Sequence, residues 1–83
     1  MPPEAETHRR IDSRGEACPG PITDLALAYR RAKDGDVLEL WATDPGVRSD
    51  VRAWAERTGS ELLSVEDRDG AIVSVLRVRR RRP

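Results

Sequence analysis

Apolar residues change their spacing several times along the chain, and each spacing predicts one element of secondary structure. A period of three to four residues, typical of a helix with one buried face, covers residues 19–33 and 45–58. Alternation of apolar and polar residues predicts a half-buried strand over Val37–Thr43. Two further strands, Glu61–Glu66 and Ala71–Val78, flank a turn rich in aspartate and glycine, which indicates a hairpin.

A weaker strand is predicted over residues 8–13, where Ile11 is the only apolar residue, and we expect it at a sheet edge. The order of elements is then β-α-β-α-β-β. The first two strands are expected to be parallel through a right-handed crossover, and the last two antiparallel. Because each helix has a single apolar stripe, we predict an α/β fold, specifically an α+β two-layer sandwich. In it two helices pack on one face of a four-stranded mixed sheet.

Prolines and glycines mark where the predicted helices begin and end. The run Cys18-Pro19-Gly20-Pro21 opens the first helix, because proline is tolerated where the backbone amides have no intrahelical partner. Gly35 follows its end. Asp44 is the expected N-cap of the second helix with Pro45 at its first position, and Gly59 ends it.

Length and charge limit the class of protein. With 83 residues we expect a disordered lead-in (1–7), a single domain (8–79) and a basic tail (80–83). Fifteen basic and fifteen acidic residues balance, so no overall field favours nucleic acid. No stretch approaches the roughly 18 apolar residues of a membrane span, and no signal-peptide core is present. We therefore expect a cytoplasmic monomer without a membrane partner.

Cys18 is the one cysteine in the chain, so it has no partner for an internal disulfide. At a helix start, the partial positive charge of the free amides is expected to lower the thiol pKa by a few tenths to about 0.7. Gly15 lets the preceding loop turn. The alternative is that Cys18 is a small buried hydrophobe.

Other chemistry has few candidate residues. His8, the only histidine, is expected at the surface rather than beside Cys18, so no general base is evident. One cysteine and one histidine are too few for a zinc site, and we expect neither a metal nor a cofactor. The Asp44-Pro45-Gly46 loop either caps its helix or also lies beside the Cys18 loop, since parallel strands end at one sheet edge.

Five arginines crowd the end of the chain, and they have two interpretations. A terminal charge run is usually a solvated tail. It could also dock an RNA backbone or an acidic protein face. We do not favour RNA, because no aromatic platform accompanies the arginines. The residues concerned are Arg77, Arg79, Arg80, Arg81 and Arg82.

The segment Ile11–Ile22 resembles the signature of the TusA/SirA-like sulfur-carrier family, in which a Cys-Pro-x-Pro motif follows a strand and an Arg-Gly pair, here Arg14-Gly15. Later segments match further landmarks of that family. They are Gly35–Leu40, Thr43–Gly46 and Trp54–Leu62, so the resemblance covers about residues 9–79.

The resemblance implies a two-layer fold similar to the C-terminal domain of bacterial translation initiation factor three. It also implies that Cys18 carries sulfane sulfur as a persulfide. A cysteine desulfurase or rhodanese-like donor would load it, and an acceptor protein would take the sulfur on. The chain would then be a sulfurtransferase in the carrier sense, in a pathway such as tRNA thiolation, molybdenum-cofactor sulfuration, sulfur oxidation or selenium handling. Residues expected to shape the site are Arg14, Gly15, Pro19, Pro21, Asp44 and Pro45.

The chain departs from the family pattern at two acidic positions. Glu16 stands where an apolar residue is common, and Asp24 where many relatives have lysine; Arg14 is expected to offset part of this charge. Two other functions are kept open. One is a non-catalytic RNA- or protein-interaction module on the same scaffold, and the other is a thiol redox sensor with a resolving thiol from another molecule.

Overall fold

A computed structural model describes residues 8–80 of the chain, so the predicted lead-in lies outside the described residues. The elements are β1 (His8–Ser13), α1 (Gly20–Arg31), β2 (Val37–Ala42), α2 (Val47–Thr58), β3 (Glu61–Arg68) and β4 (Ala71–Arg77). The strands form one sheet in the order β1-β2-β4-β3. β1 is parallel to β2, and β4 is antiparallel to β2 and β3. The predicted α+β fold with a four-stranded mixed sheet is confirmed.

The main core lies between the helices and one face of the sheet. Alternate residues of β2 and β4 supply the sheet side, and the apolar stripes of α1 and α2 supply the other. The rings of Tyr29 and Trp54 meet edge to face across the helices, with centroids 5.1 Å apart at 87°. The buried members are Leu25, Ala32, Leu38, Leu40, Ala42, Val47, Val51, Trp54, Ala55, Ile72, Leu76 and Val78.

The opposite face of the sheet carries a second apolar cluster of Trp41, Ala71 and Val73. Trp41 is only 6% exposed because arginine side chains lie over its ring. The guanidinium carbons of Arg10 and Arg14 are 4.1 Å and 5.4 Å from the ring centroid. Arginine stems can bury apolar surface while their charged ends stay in water, so this face is covered without a third layer.

The first helix is shorter than predicted. It begins at Gly20, with Pro19 at the N-cap, and ends at Arg31, because Ala32 is already extended. Gly35 adopts a positive φ of 94° in the turn beyond this end. The prediction that the helix spans residues 19–33 was therefore wrong by one residue at its start and two at its end.

The second helix begins at Val47, after Gly46 at the N-cap, so the predicted starts at Asp44 and Pro45 were wrong. The reason is a turn that precedes the helix: the Asp44 side chain accepts the N–H of Gly46 at 2.8 Å. Gly59 ends the helix in the left-handed conformation, as predicted.

The hairpin turn is tighter than the predicted four residues. β3 continues to Arg68, and Asp69 and Gly70 alone form the connection, with φ of 51° and 78°. Positive φ at both central residues is the conformation that aspartate–glycine pairs favour in two-residue hairpins. Among residues 8–80 neither helix has the length and apolar character needed to cross a membrane.

Arg80, assigned to the tail by the sequence, contacts the C-terminal end of α1. Its guanidinium donates to the Ala32 carbonyl at 3.0 Å and 3.2 Å and to the Tyr29 carbonyl, and it lies 4.2 Å from the Tyr29 ring centroid. The Arg80 N–H donates to Asp34 Oδ1 at 2.8 Å. A cation here adds hydrogen bonds to carbonyls at the negative end of the helix dipole.

We predict that Arg80→Ala lowers the free energy of unfolding by about 1 kcal/mol, through lost hydrogen bonds and ring contact at a partly solvated site. Urea denaturation would measure it. Arg79→Ala is the matched control, since Arg79 makes one exposed ion pair, to Glu61 at 2.9 Å. Equal losses in the two variants would contradict a specific role for Arg80 at the helix end.

Candidate functional site

Two loops lie side by side at the edge of the sheet where β1 and β2 end. Gly15, at a φ of 86°, donates its N–H to Thr43 Oγ1 at 2.9 Å. The Cys18 N–H donates to Asp44 Oδ2 at 3.1 Å. The structure thus brings Asp44 next to Cys18, and the same carboxylate holds the turn before α2. Hydrogen bonds from the amides of Gly46 and then Cys18 lower the pKa of Asp44.

The prolines shape the entry to α1. The Cys18–Pro19 peptide bond is cis, the Pro19 carbonyl accepts the Thr23 N–H at 2.9 Å, and Pro21 is buried in the first turn. Pro45 is exposed in the neighbouring turn. A shallow groove of about 240 Å³ opens between the helices next to this entry. It is lined by Pro19, Ile22, Asp50, Ala53 and Arg57.

The Cys18 thiol faces the start of α2 rather than that of α1. The sulfur lies 3.8 Å from where a Cβ on Gly46 would be, so the absent side chain leaves room for it. Burial raises the pKa of Cys18 to about 11, helped by a hydrogen bond to Asp50 and by the charges of Asp44 and Asp50. The expected lowering of this pKa was therefore wrong. The thiol sits before α1 begins, and its burial together with the nearby carboxylates outweighs the partial charge of the amides.

A second pair of carboxyl groups lies on the α1 side of the loop. A hydrogen bond to Asp24 raises the pKa of Glu16, as do burial and the charges of Asp24 and Asp12. Asp24 Oδ2 also accepts the hydroxyl of the buried Ser13 at 2.7 Å. The sequence identified Glu16 and Asp24 as acidic departures, and the structure shows that they contact each other.

Arg14 does not offset this acidity. Its Nε and Nη2 each donate to the Asp12 carboxylate at 2.8 Å, and its guanidinium lies over Trp41 on the far face of the sheet. The surroundings of Cys18 are consequently more acidic than the sequence suggested.

His8 stands at the opposite end of β1 from the Cys18 loop. Its Nε2 is 2.8 Å from Glu39 Oε1, so it is not the partner of Cys18. Across residues 8–80 no three His, Cys, Asp or Glu side chains come together as a metal site requires. Asp50 is the site residue that sequence reasoning missed. The sequence did contain a signal for it: Asp50 is an acidic residue near the start of α2, and that start could be expected beside Cys18.

The terminal arginines have partners within the domain where the structure describes them. Arg79 pairs with Glu61, and Arg80 contacts α1. Arg81 and Arg82 lie outside the described residues.

The fold and the site together define a class of protein: a small two-layer domain that presents one half-buried cysteine where two helix starts meet. A family model described as Sulfurtransferase TusA matches residues 9–78. The chain belongs to the TusA sulfurtransferase family.

Relatives include proteins named as sulfur carriers. A putative sulfur carrier protein YrkF of Bacillus subtilis is 45% identical over 56 residues, which are 68% of this chain and 30% of that protein. One from Aquifex aeolicus is 35% identical over 69 residues, 83% of this chain and 35% of the relative. The chain thus spans about a third of these two proteins.

A shorter relative and a solved structure cover the domain more fully. The sulfur carrier protein TusA of Allochromatium vinosum is 35% identical over 66 residues, 80% of this chain and 87% of that protein. A crystal structure of a SirA-like protein from Desulfitobacterium hafniense has the same fold. Its TM-score is 0.73 at 22% identity, over 88% of this chain and 99% of that one.

Proposed function

We propose that this protein relays sulfane sulfur as a persulfide on Cys18, between a donor protein of cysteine desulfurase or rhodanese type and an acceptor protein. The family assignment supports a sulfur-carrier role, and the observation that carries the proposal is the place of Cys18. It is the one sulfur nucleophile of the chain, half-buried where two loops meet and next to the shallow groove between the helices. A partner protein can therefore reach the sulfur directly.

Loading is a thiol exchange. The Cys18 sulfur attacks the outer sulfur of the donor persulfide, a new S–S bond forms on Cys18, and the donor S–S bond breaks. The inner sulfur of the donor leaves as a thiolate and takes up the proton that the Cys18 thiol gives up. One S–S bond forms and one breaks, so no net oxidation or reduction occurs. Delivery repeats the exchange with an acceptor thiol attacking the outer sulfur on Cys18.

Asp50 and Asp44 have distinct roles in this proposal. Asp50 lies next to the thiol and, through a hydrogen bond and its negative charge, favours the protonated form that Cys18 keeps between transfers. Asp44 holds the Cys18 N–H and so positions the loop. Arg14, Gly15, Pro19, Pro21 and Pro45 are proposed to shape the loop and helix entries and to have no part in sulfur transfer itself.

The single free cysteine suits a reducing compartment, and we place the relay in the cytoplasm. A reduced thiol is needed at the start of every loading cycle.

Intact mass spectrometry tests the proposal. After incubation with a cysteine desulfurase and cysteine, or with a rhodanese and thiosulfate, the protein should gain about 32 Da, and dithiothreitol should remove that mass. Cys18→Ser should gain nothing, while retaining the wild-type circular dichroism spectrum. Failure to load from both donor classes would overturn the relay. Salt-sensitive RNA binding, or a peroxide-induced dimer as the sole change of Cys18, would then favour the interaction-module or redox-sensor alternative.

A further inference from the structure

The outer side of β1 forms a second surface, away from Cys18. β1 is an edge strand, bonded to β2 on one side only among the described residues. Alternate residues of an edge strand direct their backbone N–H and C=O groups outward, where another extended chain can pair with them. The structure therefore offers an open ladder along residues 8–13.

An apolar groove runs beside this edge, between β1 and α1. Leu27 is 52% exposed there, more than any other large hydrophobic residue in the part of the chain that the structure describes. Ala28 and Ile11 are half-buried next to it. The groove has a volume of about 310 Å³ and is lined by Arg9, Arg10, Ile11, Asp24, Leu27, Ala28 and Arg31.

Three arginines and one aspartate line the groove, so its charge is positive. Arg9 and Arg31 are exposed and make no ion pair within residues 8–80, unlike the paired arginines 14, 48, 68 and 79. Asp24, the one acidic residue of the lining, is already bonded to Ser13. Arginines that no carboxylate of the described residues pairs with, next to an open backbone edge, favour an acidic occupant.

We propose that an extended acidic segment of a protein partner pairs with the outer edge of β1 as a fifth strand. Its apolar side chains pack on Leu27 and Ala28, and its carboxylates bind Arg9 and Arg31. Backbone bonds supply affinity and the alternating side chains supply selectivity, as in other cases of strand addition.

Two other occupants fit the surface less well. A second copy of this chain would bring its own Arg9 and Arg31 to the same surface, which adds positive charge rather than carboxylates. RNA could use the arginines, but Trp41 is covered by Arg10 and Tyr29 packs against Trp54 and Arg80, so neither ring offers a base a stacking surface.

The surface is independent of persulfide chemistry. Arg31 is at the C-terminal end of α1, whereas Cys18 precedes its start, so a segment bound along Arg9 and Arg31 leaves the thiol open. A partner bound here would be held beside the domain while another protein exchanges sulfur at Cys18.

The test is a titration of the full chain with a synthetic peptide of about ten alternating glutamate and valine residues. NMR spectra monitor the titration. The peptide should shift the resonances of β1 and of residues 27–31, and should slow amide exchange in β1. A peptide with lysine for glutamate should not bind. The double variant Arg9→Glu/Arg31→Glu should bind at least about tenfold more weakly.

The matched control is Arg52→Glu/Arg57→Glu, which makes the same charge change on exposed positions of α2 and should bind like wild type. Arg9→Glu alone gives a second measurement should the double variant fold poorly. The proposal is overturned by equal losses in both double variants, by shifts away from β1, by tighter binding of an oligouridylate than of the peptide, or by no binding at all. Loading of Cys18 is measured separately, so either proposal can fail alone.

Discussion

Replacing Asp50 with asparagine is expected to make Cys18 about tenfold more reactive toward iodoacetamide at pH 8, because the thiolate is the reacting form. The substitution removes a negative charge and a hydrogen bond that both favour the protonated thiol. Burial, the largest cause of the raised pKa, is unchanged, so the pKa of Cys18 should fall but stay above its ordinary value. Alkylation reactions stopped at successive times and analysed by intact mass spectrometry measure the rate at which Cys18 reacts.

The pH profile provides the internal check. For the wild-type protein the alkylation rate should rise up to about pH 11, where the thiol titrates, and the Asp50→Asn profile should be displaced to lower pH. Glu56→Gln is the matched control, with the same charge change on the exposed side of α2, and it should leave the profile in place. A wild-type thiol that already titrates at its ordinary pKa, or no displacement in Asp50→Asn, would contradict the assigned role of Asp50.

The raised pKa also has a consequence for stability, and its sign is fixed by linkage. The unfolded chain loses the Cys18 proton at the ordinary thiol pKa, whereas the folded chain keeps it until about pH 11. Above the ordinary pKa the folded state therefore binds more protons, and the contribution of Cys18 to stability falls as the pH rises toward 11. Cys18→Ser should remove this part of the pH dependence.

Truncating Trp54 to alanine is expected to lower the free energy of unfolding by about 3–5 kcal/mol, through lost burial and the cavity left behind. Trp54 is 5% exposed and fills the space between the helices and the sheet, with its ring against Tyr29. A domain of this size has a total stability of about 4–12 kcal/mol, so the variant should be close to unfolding at room temperature. Urea denaturation followed by circular dichroism measures the loss.

Trp54→Phe is the control for this prediction, because a smaller ring at the same position keeps an aromatic contact with Tyr29. It should cost clearly less than the alanine variant. A loss below about 1 kcal/mol in Trp54→Ala would show that Trp54 does not support the core as its burial indicates.

The carboxylates around Cys18 bear on how sulfur exchange would be controlled. With its proton retained at neutral pH, the resting thiol is a weak nucleophile. A partner that brings a cation next to Asp44 and Asp50 would lower the pKa of Cys18 and so favour exchange within the complex. The two helix starts therefore leave the sulfur half-exposed, while burial and the carboxylates keep it protonated at neutral pH.

The order of elements, the sheet type and the core stripes could be predicted from local patterns. Alternation in β2 and helical spacing in α1 and α2 are periodic signals, and burial in the structure follows them. The helix starts were less predictable. Asp44 is an ordinary N-cap residue by type, yet its carboxylate holds the Cys18 and Gly46 amides in a turn before α2 begins. One of these two bonds comes from a residue 26 positions away, which no local pattern contains.

The sequence by itself determined that this protein is a two-layer domain of the TusA family with one sulfur nucleophile at a proline-marked helix entry. Periodicity and motif spacing are enough to predict these features, because both are set by residues close to one another in the chain. Only the tertiary structure decided the electrostatics of that sulfur. The crossover places the start of α2 beside Cys18, where burial of the thiol and the nearby Asp50 and Asp44 raise its pKa, although the sequence alone predicted a fall.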